Sequence, residues 1–201
     1  MTKKIREKHS HIDVVVNNAG VFKTTSAETP SGIDVRLVVN TIAPFLLTKL
    51  LLPVMDTSSR VINLSSAAQS PIDLKGVQGA TSHFNDSTAY AQSKLGITMW
   101  TNALAKNSSG PIMVSVNPAS LLGSKMVKEA YGMDGKDLGI GADILVRAAL
   151  SNEFDRSANG KYFNNDRGVF DRPHPDGMDA IKCQRLVDTM EEVLERLGID
   201  Y

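Results

Sequence analysis

Asp13-Val14-Val15-Val16-Asn17-Asn18-Ala19-Gly20 is the stretch on which the fold turns. A β-branched run that gives way abruptly to Asn-Asn-Ala-Gly predicts a short strand with a polar turn at its carboxyl end. The run is apolar at successive positions rather than alternating, the pattern of a strand buried on both faces. The same arrangement recurs outward along the chain. Arg60–Leu64 leads into Ser65-Ser66, Ile112–Val116 leads into Asn117-Pro118, and Lys161–Phe163 forms a fourth run. Stretches with helical spacing, Ile33–Met55, Ala89–Lys106 and Asp137–Leu150, separate them. Strand and helix in alternation predict an α/β fold, a parallel sheet covered by helices. A last helix is expected over about 179–197, with Leu186, Val187, Met190, Val193, Leu194 and Leu197 as its apolar stripe and Gly198 as its stop. The 201 residues suit a single domain.

Composition bounds the partners. Lys+Arg and Asp+Glu are equal at 22 each, so no net field attracts nucleic acid or anionic lipid. No apolar run is expected to span a bilayer, and the basic Met1–His9 segment meets polar Asn17-Asn18 too soon for a signal peptide. A cytoplasmic protein without membrane contact is the expectation. The single cysteine, Cys183, excludes an internal disulfide and a multi-cysteine zinc site, and reads as a structural residue. His9, His11, His83 and His174 are scattered and expected to be solvated, so no metal site is expected.

The chemistry concentrates at strand ends. In an open α/β sheet, ligands bind beyond the carboxyl ends of the strands. Two long loops, Gln69–Ser87 and Ala119–Lys136, leave from that rim. Tyr90 and Lys94 are four apart near the start of a predicted helix and so share a face. An ammonium beside a phenol favours the phenolate, which suits the pair to general acid–base work. Alone, such a pair is usually a solvated face, and Asn, Gly and Ser at strand ends usually form turns and caps. Their recurrence after each of the first three strands points instead to one cleft. Pro44 lacks the N–H that would meet the Asn40 carbonyl in a regular helix, leaving that carbonyl free for another partner such as water.

The motifs Asp-Val-Val-Val-Asn-Asn-Ala-Gly (13–20), Val-Asn-Thr-Ile-Ala-Pro-Phe (39–45), Arg-Val-Ile-Asn-Leu-Ser-Ser (60–66), Tyr-Ala-Gln-Ser-Lys (90–94) and Val-Asn-Pro (116–118), in this order, resemble those of the short-chain dehydrogenase/reductase family. The resemblance runs from about Ile12 to Phe163. It implies a Rossmann-like doubly wound sheet and NAD(P)-dependent hydride transfer between the nicotinamide, of NAD or NADP, and a small-molecule alcohol or carbonyl. It also implies a catalytic set of Asn40, Ser66, Tyr90 and Lys94. Tyr90 would be the acid/base, with Lys94 lowering its pKa and binding the nicotinamide ribose. Ser66 would hold the substrate oxygen, and Asn40 would act through a water. Asn18, Ala19, Gly20 and Pro118 would lie along the cofactor together with Tyr90 and Lys94, and Ser124, ahead of Ser120, would offer it a hydroxyl. Family members commonly dimerise through the helices that bear Asn40 and Tyr90, so a homodimer is implied.

Three departures qualify the resemblance. Ser66 and Tyr90 lie 24 residues apart (90 − 66), a spacing similar to the retinol-dehydrogenase-like branch. That long loop, with Leu121, Leu122 and Met126, favours a bulky apolar substrate. Ala119 stands where the family usually has Gly. No Gly-rich strand-turn-helix precedes Asp13, so the sequence reads as a truncated Rossmann-like domain over 1–201, its N-terminal β-α units missing. Two alternatives stay open: a fragment of a complete oxidoreductase, or a non-catalytic domain acting through protein contacts. As given, the chain is expected to bind dinucleotide poorly and to expose Val14–Val16 as a bare sheet edge.

Overall fold

A computed structural model describes residues 1–80, 85–107 and 109–201, so His83 and part of the 69–87 loop lie outside the described residues. One five-stranded sheet runs in chain order: β1 (Val14–Asn17), β2 (Arg60–Leu64), β3 (Ile112–Asn117), β4 (Tyr162–Asn164) and β5 (Val169–Asp171). The first four strands are parallel, and β5 turns back antiparallel on β4. The principal helices are α1 (Thr2–Lys8), α2 (Val35–Val54), α3 (Asp86–Leu104), α4 (Lys125–Tyr131), α5 (Gly139–Leu150) and α6 (Ala180–Arg196).

Alternate side chains of the strands face opposite layers. Val15, Val61 and Met113 pack toward Leu51 of α2. Ile62, Val114 and Val116 pack toward Ile144 and Ala148 of α5 on the other side. Both faces of β2 and β3 are therefore covered, which is why those strands read as continuous apolar runs, whereas β1, expected to be buried on both faces, buries Val15 and Asn17 but leaves Val16 exposed at the sheet edge. The largest core lies between α3 and α6, where Leu95 and Trp100 meet Leu186, Met190 and Leu194, and Phe45 of α2 sets its ring edge-on to Trp100. Starts and stops follow local chemistry. The Asn85 side chain accepts from the Thr88 N–H to cap α3, Asp179 accepts from Ile181 and Lys182 to cap α6, and Gly198 takes φ 68 just beyond it.

Three expectations need correction. The fourth strand is Tyr162–Asn164, one residue later than Lys161–Phe163, and β5 was not anticipated. A hairpin closed by Asn-Asn-Asp-Arg-Gly, with Gly168 at φ 67, is too short to show a period in the sequence. The expected absence of a bilayer-length apolar run is overturned, and the cytoplasmic assignment falls with it. Val35–Val54 is 20 residues of helix with mean hydropathy 1.8, long and apolar enough to cross a membrane. Val38, Leu46, Leu47 and Leu50, outside the fully buried set, are apolar too, and Arg36 and Lys49 are its only charges. The span is 44% buried within the fold.

β1 forms one edge of the sheet, and Val16 is 41% exposed there.

Candidate active site

A cleft of about 740 Å³ opens at the carboxyl ends of β1, β2 and β3. Asn18, Ala19, Gly20, Ser66, Tyr90, Lys94, Pro118 and Ser124 all line it. Asn40 stands just behind that wall. Residues from five separated motifs thus meet in one place.

Helix α3 sets the first wall. Its register turns Tyr90 and Lys94 the same way, with the Lys94 Nζ 5.6 Å from the Tyr90 ring centroid. Lys94 is buried, and burial pulls its ammonium down to about 8. Its protein partner is the Leu64 carbonyl at 2.7 Å, at the end of β2. An ammonium has three N–H donors, so Lys94 keeps capacity for a ligand in the cleft. Tyr90 is held above the usual phenol value because burial outweighs the opposing hydrogen bond from Ser66, and the Tyr131 phenol adds in the same direction as burial. That differs from the lowering expected from the Tyr-Lys spacing: desolvation of both groups is the larger effect in this geometry.

The loop after β1 is clamped from behind. The Asn40 Oδ1 accepts from the Val21 N–H at 2.8 Å, and its Nδ2 donates to the Val21 carbonyl at 2.9 Å and to the Ser93 hydroxyl at 2.9 Å. One amide thus ties the β1 loop to α3. The α2 backbone widens to a π turn over Val38–Ile42 just before Pro44, with the Ala43 N–H reaching back to Val38. Such turns cluster at functional sites. Gly20 is squeezed between the two: a Cβ there would lie 3.3 Å from the Asn40 Oδ1 and 3.6 Å from the Lys94 Nζ. A side chain there would crowd the Asn40 amide, and glycine leaves the approach open.

The two asparagines of Asn17-Asn18 do different things. Asn17 is buried, and its Nδ2 donates to the Asn63 Oδ1 at 2.7 Å and to the Thr48 hydroxyl at 3.2 Å. Asn63 continues the chain to Thr101 of α3 at 2.8 Å. This polar ladder fixes the β1–β2 register, whereas Asn18 is exposed on the cleft. Ser65 is likewise structural, its hydroxyl held by Thr98 and the Lys94 carbonyl, leaving Ser66 as the serine facing Tyr90. Ser124 lines the cleft, but its hydroxyl accepts from the Val127 N–H and caps α4. Ser120 is committed elsewhere too, to Asp166.

Several residues here carried no sequence signal. Phe22 sets its ring edge-on to Tyr90 with centroids 4.9 Å apart, and the Tyr131 ring of α4 lies tilted against Phe22 with centroids 6.0 Å apart. Arg36, fully buried, binds Asp34 and Asp86 and so pins the start of α3, one turn before Tyr90, to the start of α2. Asp166 sits on a hairpin far along the chain. Only the proximity of Phe22 to the Asn-Asn-Ala-Gly turn could have hinted at any of these.

Comparison with known proteins bears on the family and the fold. Human retinol dehydrogenase 13 is 39% identical over 111 residues, covering 53% of this chain and 34% of the relative. Mouse retinol dehydrogenase 13 is 28% identical over 204 residues, covering 92% and 60%. The chain therefore spans only about a third to three fifths of these relatives. Among solved structures, an NADPH-bound carbonyl reductase from chicken fatty liver shares the fold with TM-score 0.63 and 24% identity, covering 85% of this chain and 71% of the other. An uncharacterised protein from Mycobacterium paratuberculosis superposes with TM-score 0.74 at 23% identity, covering 96% and 71%. The kinship with the retinol dehydrogenases, joined to the apolar helix Val35–Val54, gives the cytoplasmic assignment no footing. Residues 1–133 match the profile of the short chain dehydrogenase family, and the chain belongs to that family.

Proposed function

We propose that this chain carries the catalytic side of a nicotinamide-dependent oxidoreductase that interconverts an apolar alcohol and its carbonyl. One observation carries the proposal: Tyr90, Lys94 and Ser66 converge on a cleft whose floor is Asn18–Gly20 and Pro118, and the Lys94 ammonium has donors to spare. Two adjacent hydroxyls, as on a ribose, suit those donors, and the side-chain-free Gly20 lets a flat ring approach. NAD or NADP would supply the hydride, and the choice between them is left open. Tyr90 would exchange a proton with the substrate oxygen, and the Ser66 hydroxyl would hold that oxygen in place. Lys94 would assist by supplying positive charge near the phenol as it ionises. Asn40 keeps the floor of the cleft fixed against α3.

The walls of the cleft favour an apolar substrate. Phe22, Leu121, Leu122, Met126, Val127 and Tyr131 line it, and Lys125 is the one charged side chain among the described lining residues besides Lys94. The names of the mammalian relatives, retinol dehydrogenases, agree with such a substrate class. The test is turnover, in a complete chain that includes these residues, of a panel of apolar and phosphorylated carbonyls with NADH and NADPH, in parallel with Tyr90→Phe. We expect apolar substrates to be preferred and Tyr90→Phe to lower kcat by about 10²–10⁴-fold while sparing nucleotide affinity. Near-normal turnover by that variant removes Tyr90 from the role.

One observation favours a second reading, a domain acting through protein contacts. The β1 edge offers unpaired backbone groups and an exposed Val16, a template for another strand. Sedimentation separates the two: a monomer with turnover supports the enzyme, and an inactive edge-paired dimer supports the contact domain.

A further inference from the structure

The cleft has a second wall, the segment Pro118–Leu121 that leaves β3. Its backbone is unusual. Ala119 takes φ 121 and Leu121 takes φ 58, both in the region that L side chains rarely adopt. Such conformations are costly and persist only where neighbours hold them.

The holding groups come from the β4–β5 hairpin, 46 residues away in sequence. Asp166 accepts from the Ser120 N–H at 2.9 Å through one oxygen and from the Ser120 hydroxyl at 2.5 Å through the other. The second oxygen also accepts from the Asn117 Nδ2 at 2.9 Å, at the end of β3. Lys136 lies 3.6 Å from the first oxygen. Beside it, the Asn165 Nδ2 donates to the Pro118 carbonyl at 3.0 Å. The carboxylate thus grips the residue immediately after the strained Ala119, and its neighbour grips the residue immediately before. Burial disfavours the Asp166 charge, but the Ser120 and Asn117 hydrogen bonds and Lys136 together hold its carboxyl below the usual range, so the grip is exerted by an ionised group.

We infer that Asp166 is the positioning residue of this wall: by holding Ser120 it keeps Ala119 in its left-handed conformation and so sets Pro118–Leu121 against the nicotinamide side of the cleft. The inference rests on the proposed function for the identity of what the wall contacts, and on geometry alone for the latch itself. Ser120 thereby acts as the handle of the latch, which explains why its hydroxyl is not free for a ligand.

The experiment compares Asp166→Ala, Asp166→Asn and Asp166→Ala/Ala119→Gly with the unaltered chain, reading amide hydrogen exchange residue by residue and NADPH affinity by nicotinamide fluorescence. Asp166→Ala should speed exchange of the Ser120 amide by about tenfold or more, the effect of losing a charge-assisted hydrogen bond, while β2 amides stay unchanged. Asp166→Asn keeps one acceptor and should fall between; it also serves if the alanine variant does not fold. NADPH affinity should fall in the same order. Ala119→Gly, which removes the strain, should recover part of it in the Asp166→Ala background. Unchanged Ser120 exchange overturns the latch, and faster exchange with unchanged affinity overturns its positioning role. Affinity is read in a complete chain that includes these residues, since weak dinucleotide binding is expected of residues 1–201 alone; if the complete chain does not bind NADPH, the proposed function fails, and the exchange measurement still decides whether Asp166 sets the loop.

Discussion

The two walls of the cleft are built by opposite means. On the α3 side, Tyr90 and Lys94 stand in ordinary helical backbone, and what is unusual is their environment: both are desolvated, with pKa values pushed toward their neutral forms. On the Pro118–Leu121 side the environment is ordinary and the backbone is not, with Ala119 and Leu121 at positive φ under the grip of Asp166. The helical wall stores its cost as buried charge, the loop wall as conformational strain. A helix can carry the first because its backbone hydrogen bonds hold regardless of what its side chains do, whereas a loop has no ladder and must be tied from outside.

That contrast can be broken most forcefully at Lys94. Its value of about 8 lies below the 10.5 of an exposed lysine. Between those values the unfolded chain holds the proton more tightly than the folded one, so stability rises as pH increases from about 8 to 10.5 and the burial penalty is fully present below 8. Lys94→Met should therefore stabilise the chain at pH 7, by up to about 3 kcal/mol, while abolishing turnover. Urea denaturation at pH 7 and pH 10 checks it: the gap between the two proteins should narrow at the higher pH. A gap that stays the same at both pH values would mean that burial of Lys94 is compensated.

Asn40→Ala probes the joint between the β1 loop and α3. It strips partners from the Val21 N–H and carbonyl and from Ser93, and should cost about 1–3 kcal/mol in stability. Thermal unfolding measures the loss, and a change under a few tenths of a kcal/mol would show that water replaces the amide without penalty.

The smallest effect belongs to the loop wall. Ser120→Ala removes one hydroxyl contact to Asp166 but keeps the backbone N–H contact, so about 0.5–1.5 kcal/mol should be lost. The loss should be confined to exchange at Pro118–Leu121 and β4–β5. Loosening that spreads to α3 would mean that the walls are coupled rather than separately built.

Much of the site was legible before any coordinates. The Tyr90–Lys94 face, the polar turns after β1, β2 and β3, and the long helices follow from local spacing, and the structure brings all but Asn40 of the proposed residues onto the cleft. Asn40 lies behind the cleft wall, and its side chain, on which the sequence argument did not rest, ties Val21 to Ser93. Ser124 could not be separated from a ligand-facing serine, because a cap and a ligand contact ask the same of a hydroxyl. The apolar span escaped a search for an unbroken run because Arg36, Asn40, Thr41, Thr48 and Lys49 interrupt Val35–Val54, while its mean hydropathy over the helix stays high.

What the sequence determined by itself is therefore what repeats locally: strand runs ending in polar turns, helix faces, caps, and a family motif set in order. What only the tertiary structure decided is what depends on contacts between distant segments. That Asn17 is buried against Asn63 while Asn18 is not, that Phe22 braces Tyr90, that Arg36 ties two helix starts, and that Asp166 latches a loop 46 residues away are of this kind. The direction of the Tyr90 shift belongs there too. Helical period and turn chemistry act over a few residues and leave their mark on the chain, whereas burial and long-range hydrogen bonds arise only when the packed fold removes water from groups that the sequence keeps far apart.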